Sequence, residues 1–186
     1  MTNRIRLYDR VLFQKGQGAH LEIALHLPEP GEHHMMEIYV DADACPVKDE
    51  VFRVAKRYGL KVFVVSNSAM RIPQDRSVAV EMVVVHDHLD AADDWIAEHV
   101  HDNDITVSAD IPLAARCLEK NARVLDPKGR IYTKESIGSA LANRELMAYL
   151  REMGNMTGGP PPFKKRDRSC FLQSLDTLIQ AVLRGK

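Results

Sequence analysis

Asp41 and Asp43 stand two apart at the end of the apolar run Ile38-Tyr39-Val40. Asp93 and Asp94 open a helical pattern that follows Val83-Val84-Val85, Asp110 closes Ile105-Thr106-Val107-Ser108, and Asp126 closes Val124-Leu125. In an open parallel sheet the C-terminal ends of the strands share one edge, and ligands bind there. Carboxylates gathered at that edge repel one another unless a cation joins them. Hard oxygen donors suit Mg²⁺ or Mn²⁺. The residue types and their spacing therefore point to a metal-dependent site for phosphate chemistry.

Each of these residues also has a structural role open to it. Asp43 precedes a helix pattern led by Pro46, so it can cap that helix or face the edge. Among Asp90, Asp93 and Asp94, early-turn acids meet the helix dipole, and residues three or four apart share a face. One of them caps and one faces the metal. Asp110, directly before Ile111-Pro112, is a good N-cap as well as a candidate ligand. Ser108 can hydrogen-bond a carboxylate or a bound water. Cys45 lies at a helix start, where the dipole lowers a thiol pKa, yet a small buried filler is the commoner role for such a cysteine. His86 and His88 flank Asp87 near a strand end and can line the site.

The elements that must position these residues alternate in type. Strands are expected at 37–41, 61–66, 80–86, 104–108 and 123–125, with a short one near 130–133; all are rich in Val and Ile. Helix patterns fill 46–58, 90–101 and 111–121, with Pro46 and Pro112 at first helical positions and Asp90 as an N-cap. This βαβ alternation predicts an α/β fold with a mostly parallel sheet. A long amphipathic helix follows over 136–153, then a loop over 154–168, then a last helix over 169–183. Residues 1–36 differ. Ile5, Leu7, Val11 and Phe13, then Leu21, Ile23, Leu25 and Leu27, alternate about Lys15-Gly16-Gln17-Gly18, which predicts a β-hairpin extension. An alternative is that the natural start lies at Met35 or Met36. The division expected is 1–36 extension and 37–186 domain.

Charge is divided along the chain. Residues 37–110 carry 15 acidic and 7 basic side chains, a balance of −8, whereas 111–186 carry 7 acidic and 14 basic, a balance of +7. An acidic half for metal and a basic half for phosphate suit a polyanion, and the two halves also attract each other. The sharpest basic segment runs from Thr157 to Ser169. Its glycines and Lys164, Lys165, Arg166 and Arg168 suit a phosphate backbone, Ser169 opens a helix, and Phe163 can stack on a base. No apolar run approaches the roughly 20 residues that span a bilayer. Cys45, Cys117 and Cys170 form no CxxC and read as reduced thiols, so a cytoplasmic protein is expected.

Several longer motifs, IYVDADACPVKDEV (38–51), VVSN (64–67), DAADDWI (90–96), ITVSADIPLA (105–114), RVLDPKGRIYT (123–133) and TGGPPPFKKRDRSCFLQSLDTLIQ (157–180), resemble the bacterial YaiI/YqxD family of PIN-domain-like proteins. The resemblance covers residues 37–184. It implies a three-layer PIN-like fold and, by the pattern of metal-dependent PIN nucleases, ligands at Asp41, Asp94 or Asp93, and Asp110, with Asp126 a weaker candidate. The activity expected is a Mg²⁺- or Mn²⁺-dependent nuclease on RNA or single-stranded nucleic acid, with Asp43 and Ser108 in support. Two alternatives stay open. Asp41-x-Asp43 with Ser66 also resembles a haloacid-dehalogenase-like phosphatase, although no lysine lies between Ser66 and Asp110. A non-catalytic module binding nucleic acid or protein is the other.

Overall fold

The computed structural model describes residues 6–7, 35–43, 45–72, 78–85, 88, 90–154 and 162–185. Seven strands and five helices alternate along the described chain: β1 (Arg6–Leu7), β2 (Ile38–Asp41), α1 (Lys48–Tyr58), β3 (Val62–Ser66), β4 (Val80–Val84), α2 (Ala91–His99), β5 (Ile105–Val107), α3 (Ile111–Glu119), β6 (Arg123–Leu125), β7 (Ile131–Tyr132), α4 (Lys134–Glu152) and α5 (Lys165–Leu183). They form one sheet in the order β1-β4-β3-β2-β5-β6-β7. All its pairings are parallel except β6 with β7.

Both faces of the sheet are covered, which explains why its strands read as continuous apolar runs. One face carries α1 and α5: Val40, Val64 and Val107 pack with Val51, Phe171, Leu175 and Ile179. The other carries α2, α3 and α4: Val65, Val83 and Val124 pack with Ile96, Leu113, Leu118 and Ala140. The result is the three-layer α/β fold expected, consistent with a PIN-like arrangement.

Strand order places the crevice. From β2 the sheet grows one way through β3 and β4, and the other way through β5 and β6. Ile38 pairs with Val62 on one side and with Ile105 on the other. Such a reversal separates the loops that leave neighbouring strands and opens a crevice beyond their C-terminal ends. Here those ends are Asp41 and Val107-Ser108.

Several local expectations change. Pro46 lies in a turn two residues before α1, whose N-cap is Val47. Asp90 holds the N-cap position of α2 but its side chain makes no cap hydrogen bond. The last helix begins at Lys165, not Ser169, because the Asp167 carboxylate accepts the Lys164 N–H at 2.8 Å and ties down the first turn. Ser169 is therefore inside the helix. The predicted hairpin falls outside the described residues apart from Arg6–Leu7, which pair in parallel with Val83–Val84. Thr157 to Pro161, His86 and Asp87 also lie outside them.

α4, with 19 residues, is about twice as long as α3, with 9. Its Thr133–Ser136 capping box fixes its start. Beyond Ala140 it is mostly exposed, with Leu146, Tyr149 and Met153 each more than half accessible. At the same edge of the sheet as the crevice, the turn between β6 and β7 is docked on α5. Asp126 Oδ1 accepts the N–H groups of Lys128 and Arg130, each at 2.8 Å, and Ser174 Oγ donates to Gly129 O at 2.8 Å. The Asp126 carboxylate thus organises its own turn.

Candidate metal centre at the switch point

Asp41, Asp43, Asn67, Ala92, Asp93, Ala109 and Asp110 line one cavity of about 380 Å³ at the crevice. The carboxylates come from three segments far apart in sequence: the end of β2, the first turn of α2 and the start of α3. A wider hollow of about 470 Å³ lies at the opposite, N-terminal end of the strands, between Asn103, Arg123 and Lys134. It is away from the strand ends where the acidic residues gather.

Ser108 is the joint of the site. It is 1% exposed, donates from Oγ to Asp41 Oδ2 at 2.7 Å and accepts the Asp110 N–H at 2.9 Å. One hydroxyl thereby fixes the Asp41 carboxylate and the backbone that presents Asp110. Asp110 caps α3 through Oδ1, which accepts the Leu113 N–H at 2.9 Å, while its Oδ2 lies 3.5 Å from Arg144 Nη2. Capping and facing the cavity are therefore compatible at this residue. Asp43 does not cap α1. It accepts from Ser66 Oγ and from the Asn67 N–H at 3.1 Å, and so ties the end of β3 to the end of β2. Lys48 Nζ donates to Ala42 O at 2.9 Å and steadies the loop between the two aspartates.

On α2, Asp93 and Asp94 part ways. Trp95 packs at 6.2 Å from Tyr39 and 5.8 Å from Phe63, which sets the rotation of the helix about its axis. That rotation brings Asp93 to the cavity. Asp94 turns outward, 2.7 Å from Arg116 Nη1 and 3.3 Å from His88 Nε2.

A family model described as "Uncharacterized BCR, YaiI/YqxD family" matches residues 39–181. The chain belongs to the YaiI/YqxD family. A UPF0178 protein of Rhodospirillum centenum is 56% identical over 156 residues, covering 82% of this chain and 100% of the relative. One from Paramagnetospirillum magneticum is 57% identical over 150 residues, covering 81% and 98%, and one from Brucella ovis is 55% identical over 148, covering 80% and 91%. No solved structure matches the chain at a significant level.

In this YaiI/YqxD protein the cavity is electrostatically frustrated. Burial raises the Asp41 carboxyl pKa, the Asp43 and Asp110 charges add to the rise, and the Ser108 hydrogen bond opposes it. Burial, then the charges of Asp41, Asp110 and Asp90, push Asp93 up to about 6, with Arg116 pulling it down. A folded pKa above 3.8 means that the native state holds this proton more tightly than the unfolded chain does. Asp93 therefore weakens the fold at neutral pH, and the penalty disappears as pH falls from about 6 toward 4. Full linkage would be about 3 kcal/mol, reduced to about 1–2 kcal/mol by the solvent that reaches the group. In metal-free buffer, Asp93→Asn should gain that amount over wild type at pH 7.5 in urea melts. The two proteins should converge at pH 4.5, and a gap independent of pH would contradict this account.

The donor set suits a hard divalent cation in kind, being carboxylates and one amide. Among the described residues, no three His, Cys, Asp or Glu side chains already stand close enough to enclose one ion. Binding would have to draw the carboxylates inward, relieving the repulsion that raises Asp93.

The thiols stand apart from this chemistry. Burial pushes Cys45 and Cys117 up to about 11, which suits the filler role for Cys45. The basic segment divides into two parts. Arg168 Nη1 reaches both oxygens of the buried Glu50 at 2.8 Å, and its guanidinium sits 5.3 Å above the half-buried Phe163 ring. Those two residues are engaged in docking α5 on α1. Lys164, Lys165 and Arg166 are exposed. The Arg168–Glu50 pair and the Ser174–Gly129 contact set the start of α5 at the same sheet edge as the cavity. Sequence reasoning missed Asn67, Arg116 and Arg144 around the site. Asn67 directly follows a strand that ends at the shared edge, which was its one visible signal. The arginines enter through helix packing, which leaves no local mark.

Proposed function

We propose that this protein is a metal-dependent nuclease that hydrolyses phosphodiester bonds in RNA or other single-stranded nucleic acid. The observation that carries the reading is the gathering of Asp41, Asp43, Asp93 and Asp110 around one cavity at the switch point of the sheet. Mutual repulsion at such a site is relieved by a divalent cation, and such a cation can activate water for attack on a phosphodiester.

Asp41, Asp93 and Asp110 would hold Mg²⁺ or Mn²⁺, with Asp94 one residue away in its pair with Arg116. When bound, such an ion lowers the pKa of water and offsets charge at a phosphoryl oxygen. The chain's own residues then have defined tasks. Ser108 orients Asp41 and fixes the backbone of Asp110. Asp43 holds the ends of β2 and β3 together through Ser66 and Asn67. Lys164, Lys165 and Arg166, at the same edge, would attract the anionic strand. Reduced thiols and a nucleic-acid substrate suit the cytoplasm.

The phosphatase reading draws support from the Asp43–Ser66 hydrogen bond, but it needs a lysine at the cavity, and the lining described contains none. A labelled single-stranded RNA incubated with Mn²⁺ should be cut, and EDTA should stop the cutting. Stable RNA in Mn²⁺ and Mg²⁺, with salt-sensitive binding that survives EDTA, would replace the nuclease by a binding module.

A further inference from the structure

α3 and α4 run antiparallel. Lys134 Nζ, at the start of α4, meets Asn121 Oδ1 at 2.6 Å beyond the end of α3, while Arg144 meets Asp110 at its beginning. α3 has 9 residues and α4 has 19. At a rise of 1.5 Å per residue these are about 13 Å and about 28 Å long. By Arg144 the longer helix has already reached the level of the cavity. The remaining turns, to Glu152, extend about 12 Å beyond Arg144.

Residues seven apart fall on nearly the same side of a helix. Arg151 therefore follows Arg144 along one flank, about 10 Å further from the cavity. Arg151 Nε donates back to Met147 O at 3.0 Å, which holds its exposed guanidinium along that flank. The Arg144–Asp110 contact is long, at 3.5 Å, and the arginine side chain is 51% exposed. Exposed pairs of this kind contribute little and exchange partners readily. A guanidinium that leaves a carboxylate finds in a phosphate the other group its fork fits.

We propose that Arg144 and Arg151 form a strand guide, binding successive backbone phosphates of a single-stranded nucleic acid as it leaves the acidic cavity. The proposal rests on the nuclease reading for the identity of the cavity's substrate. The acidic cavity alone repels a polyanion, so cationic groups at its mouth are what let a strand approach. Arg144 also offsets the charge of Asp110, and it would have to release that carboxylate for Asp110 to hold a cation.

The test is fluorescence anisotropy of a labelled oligo(U) 12-mer in Ca²⁺, with Arg144→Gln/Arg151→Gln beside wild type. Both side chains are exposed and glutamine is a good helix former, so the fold is kept. The expected result is a roughly tenfold weaker Kd and a salt slope reduced by about 1.4, the value for two lost phosphate contacts on a single strand. Mn²⁺ affinity by calorimetry should stay level or rise, since a competitor for Asp110 is gone. An unchanged salt slope, or no binding by wild type, overturns the guide. RNA cutting with an unchanged slope retains the nuclease and discards the guide; a reduced slope with no cutting under any metal does the reverse.

Discussion

Asp41→Asn/Asp110→Asn is expected to bind Mn²⁺ at least about 100-fold more weakly than wild type in a calorimetric titration, because groups merely supporting a ligand already account for 10–100-fold. RNA cutting should fall with it. The double variant is a clean probe. Asparagine at 41 still offers an oxygen to Ser108 Oγ, and at 110 it still caps α3 by accepting the Leu113 N–H. Both changes remove negative charge from a cavity whose carboxyl pKa values are raised at Asp41 and Asp93. The metal-free variant should therefore melt above wild type. Weaker Mn²⁺ binding with a higher Tm cannot be ascribed to unfolding. Wild-type-like Mn²⁺ binding by the variant would remove the metal from this cavity.

Gly129→Ala should cost about 3–5 kcal/mol in urea unfolding, among the largest effects of any single methyl group in this chain. The backbone there has φ +91°, and an added Cβ would lie 2.7 Å from Cys170 C and 2.8 Å from Phe171 N. Both obstacles are main chain of α5, so no side chain can swing aside. The strained conformation alone accounts for about 1–3 kcal/mol. The rest comes from lifting the turn off α5 and losing the Ser174 contact. Because that contact helps to set the start of α5 at the cavity's edge, oligonucleotide binding should weaken as well. A loss below about 1 kcal/mol would mean that the turn and helix separate at little cost.

Strand and helix periodicity foretold the mostly parallel sheet, because continuous apolar runs separated by amphipathic stretches have few other solutions, and the family resemblance implied its three layers. Val62–Ser66 and Arg123–Leu125 fall within a residue of their expected limits. What the sequence left open or placed differently lies where a single hydrogen bond or a rotation decides. The start of α5 turns on Asp167 accepting from Lys164, four residues before the expected Ser169. Asp93 and Asp94 are 100° apart on one helix, and only the packing of Trp95 against Tyr39 and Phe63 selects which one faces the cavity. Phe163 and Arg168, read as contacts for nucleic acid, are drawn into the α1–α5 interface by a buried Glu50 that no sequence pattern pairs with them. The Arg144–Asp110 contact spans 34 positions and follows from α4 outrunning α3.

The pairing of β2 with β5 also governs when the site can exist. Residues on the two strands are 67 positions apart, as Ser108 and Asp41 are. By contrast, β2 with β3 and β5 with β6 each close over a single helix. Local units should therefore gain structure early, and the distant pairing should come late because it closes the longer loop. Until then one unit carries Asp41 and Asp43, the other carries Asp110, and α2 with Asp93 joins them through Trp95 and α3, so no cavity exists between them. The repulsion among these carboxylates thus opposes the last step of folding, and a cation present at that moment would act as a folding partner before it could act as anything else.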